Sequence, residues 1–328
     1  MKTLKKFVYT FFITSLGFIV LMELCYRFQV FDYYKAELNQ LNPGLTHPSS
    51  KKKILLCGDS FSADPASYVT VLRDSLKEYQ IINSSIPGSG ILQHAFMLPG
   101  RIKKYKPEIF IYQFYIGNDL FDLSHPYHSA GISLLRKIYW FLSDHILCLS
   151  FLNFRLAGFR YHYFDDAGGA YSGKNIDSFT IDTYSKREKF IYKAEPSIIE
   201  NSLFLENGRS RDWESFKKKF SEILLHLNDT IPKYFVLIPH ESMLSAALKK
   251  KHVQLGAIFN HDTINEYPLV LEIKQFCAVH HITLIDFTHP PVDSRLYPTL
   301  FYSNDPHLSL FGQQILGQQV LNEMKVHK

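Results

Sequence analysis

Five short apolar runs, separated by stretches of helical periodicity, constrain this chain more than any other feature in it. They are Lys53–Cys57 (KILLC), Gln80–Asn83 (QIIN), Glu108–Tyr115 (EIFIYQFY), Tyr234–Pro239 (YFVLIP) and Ile282–Phe287 (ITLIDF). Each has the length and composition of a buried strand. Helices are expected over Pro65–Tyr79, Ile91–Tyr105, Arg211–Asn228, Glu266–His281 and Leu310–Met324. Asp64 is placed as N-cap of the first, with Pro65 at its first position, and Ser309 as N-cap of the last. Strands alternating with helices argue for an α/β fold, a parallel sheet covered by helices on both faces. In such sheets ligands bind beyond the carboxyl ends of the strands.

The polar residues just past the strand ends therefore carry the chemical interest. The first strand ends abruptly in Gly58-Asp59-Ser60, a tight turn before a helix. There a serine Oγ stands exposed, with backbone N–H groups and a helix N-terminus at hand to favour developing negative charge. Gly-Asp-Ser is also a common turn, and Gly58-Asp59-Ser60-Phe61-Ser62 lacks the last glycine of the G-x-S-x-G nucleophile elbow. The reading thus depends on partners downstream. A serine hydroxyl needs a base, and the base an orienting group. Asp305-Pro306-His307, just before the closing helix, offers both. The tetrahedral intermediate of acyl transfer needs donors aimed at its oxyanion. Gly88 can bring a backbone N–H close, Asn118 can add a side-chain amide, and the N–H of Ser60 is a third donor.

These four blocks, in this order, resemble the SGNH (GDSL) hydrolase superfamily, whose name records a Ser, a Gly, an Asn and a His in separate motifs. The match runs from about Lys51 to Met324, apart from most of a middle insertion. The resemblance implies a flavodoxin-like three-layer α/β/α sandwich with about five strands. It implies Ser60 as nucleophile, Ser60, Gly88 and Asn118 as the oxyanion hole, and Asp305 with His307 as acid and base. Two motifs depart from the usual pattern. The third reads Ile116-Gly117-Asn118-Asp119, without the first glycine of G-x-N-D. In the last, usually D-x-x-H, Asn304 sits three before His307 and Asp305 two before; some membrane-anchored, envelope-associated relatives carry D-x-H, and the acid is assigned to Asp305.

The rest of the chain sets the context. With 46% hydrophobic residues over 328, a buried core is expected, in one large domain or two modest ones. A net charge of +5, from 36 basic and 31 acidic residues, is not the footprint of a nucleic-acid-binding domain. Four scattered cysteines without C-x-x-C argue against a zinc site or a disulfide framework. Phe7 to Met22 carries no charge and comes after Lys2, Lys5 and Lys6. This reads as an uncleaved membrane anchor, residues 1–28, with its N-terminus cytoplasmic and the remainder exported. A cleaved signal peptide is the alternative. Residues 29–50 read as a juxtamembrane connector. Residues 51–328 read as the hydrolase-like domain, interrupted at about 120–207. Within that insertion, Ile132–Phe154 is expected to be helical, covering the site or lying on the membrane, or else an ordinary subdomain. Asp165–Lys189 reads as a long loop.

Taken together, the expected activity is that of a membrane-anchored serine esterase acting on oxygen esters, an acylated glycan or lipid among them, through an acyl-enzyme. No cofactor or metal is implied. Two alternatives stay open: an O-acyltransferase modifying envelope polysaccharide, and a non-catalytic glycan-binding domain. Other motifs read as bland. Gly168–Asn175 nearly matches a P-loop but lacks the final Ser or Thr and a preceding strand. His125 with His128, and His280 with His281, lack the context of a zinc site. His240-Glu241 reads by default as a turn, with lining of the pocket as the other reading, Asp119 and Asp122 as supports of the site or plain loop, and Cys57 as core.

Overall fold

The computed structural model describes residues 2–45, 50–163, 178–262, 264 and 266–326. All five apolar runs are strands: β1 (Lys52–Cys57), β2 (Tyr79–Asn83), β3 (Ile109–Tyr115), β4 (Lys233–Ile238) and β5 (Thr283–Asp286). They form one parallel sheet in the order β2-β1-β3-β4-β5. This is the flavodoxin-like order, with the switch point between β1 and β3. The central strands β3 and β4 are buried along their whole length, which is why their sequences are continuous apolar runs.

Thirteen α-helices are present among the described residues, and most of them pack around the sheet. They are α1 (Lys2–Arg27), α2 (Lys35–Leu41), α3 (Ser60–Ala63), α4 (Tyr68–Ser75), α5 (Ile91–Tyr105), α6 (Leu134–His145), α7 (Leu147–Tyr163), α8 (Lys186–Ala194), α9 (Ile198–Phe204), α10 (Arg209–Leu224), α11 (Ala246–Gln254), α12 (Pro268–Val279) and α13 (Leu310–Val326). The period of two along the strands sorts side chains to two cores. Leu55, Cys57, Phe110, Tyr112, Phe114 and Phe235 face one side, packed with Ile102 of α5, Phe216 and Phe220 of α10, and Ile273 of α12. Ile54, Leu56, Ile111, Val236 and Ile285 face the other, against Leu72 of α4 and Leu316 and Val320 of α13. Phe235 is fully buried; truncating such a residue to Ala typically costs about 3–5 kcal/mol.

The first helix after β1 departs from expectation. The chain makes a single turn, α3, then a break, then α4. The break arises from Pro65, which forces the residue before it out of the helical region; Asp64 is extended, with φ −71° and ψ 133°. Asp64 therefore caps no long helix. Its carboxylate accepts the backbone N–H of Ala66 at 2.8 Å. The cap that forms is Asp59, whose side chain accepts the N–H of Phe61 at 2.9 Å.

α1 is exposed along its apolar length; Lys5–Arg27 has a mean hydropathy of 1.9. Its 23 residues would reach about 35 Å at 1.5 Å each, against a hydrocarbon core of about 30 Å. One helix of this structure is thus long and apolar enough to cross a membrane. The segment after it is packed. Tyr34 and Leu38 are buried in the larger core. Asn42 donates to the carbonyl of Asn83 and accepts its N–H, both at 2.7 Å, docking the segment onto the end of β2. Buried Arg101 holds the carbonyls of Tyr34 and Ser84, each at 3.2 Å.

The insertion is more helical than its polarity suggests. Ile132–Phe154 becomes α6 and about the first half of α7, as expected, but α8 and α9 also form where a loop and irregular chain were expected. The Gly168–Asn175 run lies outside the described residues.

Candidate active site

The turn after β1 leaves no room for a side chain at Gly58: a Cβ there would lie 2.3 Å from Gln113 Oε1. Gln113, projecting from β3, uses that oxygen to accept the N–H of Asp59 and the hydroxyl of Ser62, each at 3.0 Å. With Asp59 capping α3, the turn is held from both sides. Ser60 is left half-buried at the first position of the helix, its Oγ 2.7 Å from His307 Nε2.

Asp305 Oδ1 lies 2.5 Å from His307 Nδ1 and also accepts the backbone N–H of His307 at 2.9 Å. A carboxylate only accepts, so Nδ1 carries the proton and Nε2 is free to accept from Ser60 Oγ. This double contact explains how an Asp two residues before a His can orient it: the short loop is an Asx turn, and the carboxylate that closes the turn also holds the ring. Asn304 faces elsewhere. Its Oδ1 accepts the N–H of Thr180 at 2.8 Å and its Nδ2 donates to the carbonyl of Ser178 at 2.7 Å. The backbone carbonyl of Asn304 accepts the N–H of Ser185 at 3.1 Å.

The structure thus brings Ser60, His307 and Asp305 into direct contact. Gly88 and Asn118 sit on the two neighbouring strand-end loops. Gly88 has φ +66°, a conformation that suits glycine. Its loop is bound to the Gly58-Asp59-Ser60 turn, since Ile86 N–H donates to the carbonyl of Gly58 at 3.1 Å. Asn118 Nδ2 is 3.4 Å from Asp122 Oδ2.

Several supporting residues escaped the sequence reading. Ser89 Oγ donates to the carbonyl of Ile86 and lies 2.8 Å from His94 Nε2. The serine proton is already used, so His94 Nε2–H must donate to Ser89, and His94 Nδ1 accepts from Tyr112 OH at 2.8 Å. Burial holds the His94 ring neutral, with a pKa lowered to about 3. This chain of contacts fixes the Gly88 loop to β3. Behind the site, burial raises the pKa of Asp59, Asp119 and Asp122, and the charge of Asp59 adds to the rise at Asp119. Asp119 Oδ2 accepts the N–H of Tyr115 at 2.9 Å, whereas its Oδ1 is buried without a partner.

Two clefts flank the loop that carries Gly88, and Pro87 lines both. One, of about 610 Å³, holds Ser60, Asp305 and His307, with Glu37 and Leu41 of α2 on its far wall. The other, of about 570 Å³, holds Gly88, Asp122 and Arg187, with Arg136, Tyr139 and Trp140 of α6. The segment that follows α1 and the insertion therefore both contribute walls. Arg155 of α7 locks the first wall in place through a bidentate pair with Glu37.

His240-Glu241 is not at the edge of a pocket. Both residues are fully buried, and the insertion covers them. Glu241 accepts from Tyr184 OH at 2.9 Å, Lys251 at 2.9 Å and His252 at 2.7 Å. Burial alone would raise its pKa, but His252 and Lys251 bring it down to about 2. Glu188, His240 and His252 place possible metal-ligating atoms within 4.8 Å of one another. Tyr192 OH, however, lies 2.6 Å from His252 Nδ1 and 3.3 Å from His240 Nε2, so hydrogen bonds account for the cluster. His125 pairs with Asp144 at 2.7 Å and stacks on Trp140. Cys57 is fully buried core, its thiol pKa raised by burial.

Neither a family model nor a curated protein matches the sequence. Among solved structures, the chain is similar to a lipase/acylhydrolase from Enterococcus faecalis at 13% identity, over 84% of this chain and 96% of that one, with a TM-score of 0.40. It is similar to TesA at 13% identity, over 84% and 98%, with a TM-score of 0.37. LAE5, an α/β hydrolase enzyme from the metagenome of Lake Arreo, Spain, is similar at 11% identity over 85% and 97%, with a TM-score of 0.38.

Proposed function

We propose that this chain is a membrane-anchored serine hydrolase of the SGNH type that cleaves oxygen esters through an acyl-enzyme. The observation that carries the reading is the continuous contact from Ser60 Oγ to His307 Nε2 at 2.7 Å and from His307 Nδ1 to Asp305 at 2.5 Å. In the proposed reaction Ser60 Oγ attacks the ester carbonyl carbon as its proton passes to Nε2. The carbonyl oxygen becomes an oxyanion, met by the N–H groups of Ser60 and Gly88 and the Asn118 amide. Asp305 stabilises the imidazolium. The tetrahedral intermediate then expels the alcohol, which takes the Nε2 proton, and leaves the acyl group on Oγ. Water repeats the sequence in reverse order, releasing the carboxylic acid and restoring Ser60.

α1 is read as the anchor, with Lys2, Lys5 and Lys6 on the cytoplasmic side and the catalytic part exported. The substrate is read as an acyl ester, on a glycan or a lipid. The second cleft favours a further reading, an O-acyltransferase. If that cleft holds an acceptor alcohol beside Gly88, the acyl group passes to its hydroxyl instead of to water. The intact Ser–His–Asp contact weighs against a purely glycan-binding role.

The test is labelling of the full chain with a fluorophosphonate, then hydrolysis of short- and long-chain esters. Wild type should label and turn over, and Ser60→Ala should lose both. Retention of full activity by Ser60→Ala on a verified substrate would sink the assignment.

A further inference from the structure

α6 turns its apolar face outward. At 100° per residue, Leu134, Leu135, Ile138, Phe141 and Leu142 fall within a stripe of about 120°. All five are exposed, Leu134 by 71% and Leu135 by 80%. The opposite face is the one packed on the protein, where Trp140 and Ser143 are buried. A soluble domain arranges an amphipathic helix the other way round.

The position of this stripe says what covers it. The junction of α6 and α7 is bound to the end of the apolar helix α1. Arg27 donates to the carbonyl of His145 at 3.3 Å. The carboxylate of Glu23 accepts the first N–H groups of α7, from Leu147 at 3.1 Å and Cys148 at 2.8 Å. Just past α1, Phe28, Val30 and Phe31 are also exposed, by 77%, 55% and 64%. Two exposed apolar patches therefore adjoin the same end of the same helix. Lys137 flanks the α6 stripe, as cationic side chains do at a headgroup boundary.

We propose that α6 lies on the lipid surface of the leaflet from which α1 emerges, its stripe inserted at the boundary between headgroups and acyl chains. The inference rests on the reading of α1 as a membrane span. It goes beyond anchoring, because the inner face of α6 supplies Arg136, Tyr139 and Trp140 to the cleft beside Gly88. That cleft then opens at the membrane surface, within reach of esters held in the leaflet.

The test uses the full chain in vesicles of phosphatidylcholine and phosphatidylglycerol. Cys25→Ser removes the one cysteine that is not buried. Into that background Phe18→Cys, Leu135→Cys or Leu225→Cys is introduced and labelled with an environment-sensitive fluorophore. Phe18 lies within α1; Leu225, 84% exposed, comes directly after α10 at the opposite end of the sheet. Quenching by lipids spin-labelled near the headgroup should be several-fold stronger at Leu135 than at Leu225, and lipids labelled deep in the chain should quench Phe18. A quenched Phe18 with an unquenched Leu135 overturns the seat of α6 and leaves the anchor standing. A Phe18 that no lipid quenches overturns the anchor and this inference with it. A blue-shifted but unquenched Leu135 would mean that protein covers the stripe, and also overturns it. As a second arm, Leu135→Asp should leave hydrolysis of a water-soluble ester unchanged and reduce several-fold that of an ester embedded in the vesicles. Equal effects on both overturn the proposal.

Discussion

Asn304 Oδ1 accepts the backbone N–H of Thr180 across 124 residues of sequence, at 2.8 Å. One residue further on, Asp305 holds the His307 ring. The insertion is thereby bound to the loop that carries His307. Asn304→Ala should lower kcat on soluble esters more than it raises KM, because it frees the loop that aims His307. Loss of its buried hydrogen bonds should also cost about 1–3 kcal/mol of stability. Asn304→Asp keeps the acceptor for Thr180 and should recover part of kcat; steady-state kinetics with a urea titration of each variant would check this. A fall in stability with unchanged kcat would show that the contact is structural only.

Asp305→Asn should reduce kcat by about 10⁴-fold with the fold intact, since the wrong tautomer of His307 is then favoured. Asn118→Ala should cost about 100- to 1,000-fold. Circular dichroism alongside ester kinetics separates these effects from unfolding. A mild Asp305→Asn phenotype would mean that His307 works with Ser60 as a dyad.

Gly58→Ala places a methyl group against Gln113. The turn must shift, with a stability loss of about 1–3 kcal/mol. Because Gln113 also positions Asp59 and Ser62, fluorophosphonate labelling should slow as well. Thermal melts and labelling rates measure the two effects separately.

Asp59 and Asp119 have pKa values raised by burial, so the folded protein holds their protons to a higher pH than the unfolded chain does. Their contribution to stability is complete below the unfolded value of about 3.9 and is lost as pH rises through the folded values. Asp119→Asn removes one ionisation while keeping an oxygen for the Tyr115 N–H. Its stability relative to wild type should therefore improve steadily from pH 4 towards pH 8 in a series of thermal melts. A difference independent of pH would refute the assignment.

His252→Ala leaves Glu241 buried with only part of its partners. Breaking such a pair costs about 3–5 kcal/mol. The loss should appear in denaturant titration, and exchange protection should fall first in α8 and α11, which the cluster joins to the end of β4.

The strands were legible because burial on both faces writes itself as an unbroken apolar run, as in Ile109–Tyr115. That Ser60, Gly88, Asn118 and His307 lie at one end of the sheet was legible because a sheet of this topology gathers its strand-end loops at one edge. The break at Pro65 was written in the sequence too, in the restriction a proline places on its predecessor, but the capping chemistry of Asp64 points the other way. His94 and Gln113 left no such mark. One is a polar residue on an amphipathic helix and the other a single polar residue in a strand, and their roles come from the groups opposite them in space. Glu188, His240 and His252 come from three separate segments, and only the packing of the insertion buries them together.

The wall that Glu37 and Leu41 give to the Ser60 cleft decides what a shortened version of this protein would retain. A fragment beginning at Lys51, one residue before β1, would keep Ser60, Asp305 and His307. It would also lose one side of the Ser60 cleft, the partner of Arg155, and the Asn42 amide that closes the end of β2. Such a fragment should still react with a small fluorophosphonate yet discriminate poorly among acyl groups. On the proposed function, the tether and the specificity pocket are one piece of polypeptide.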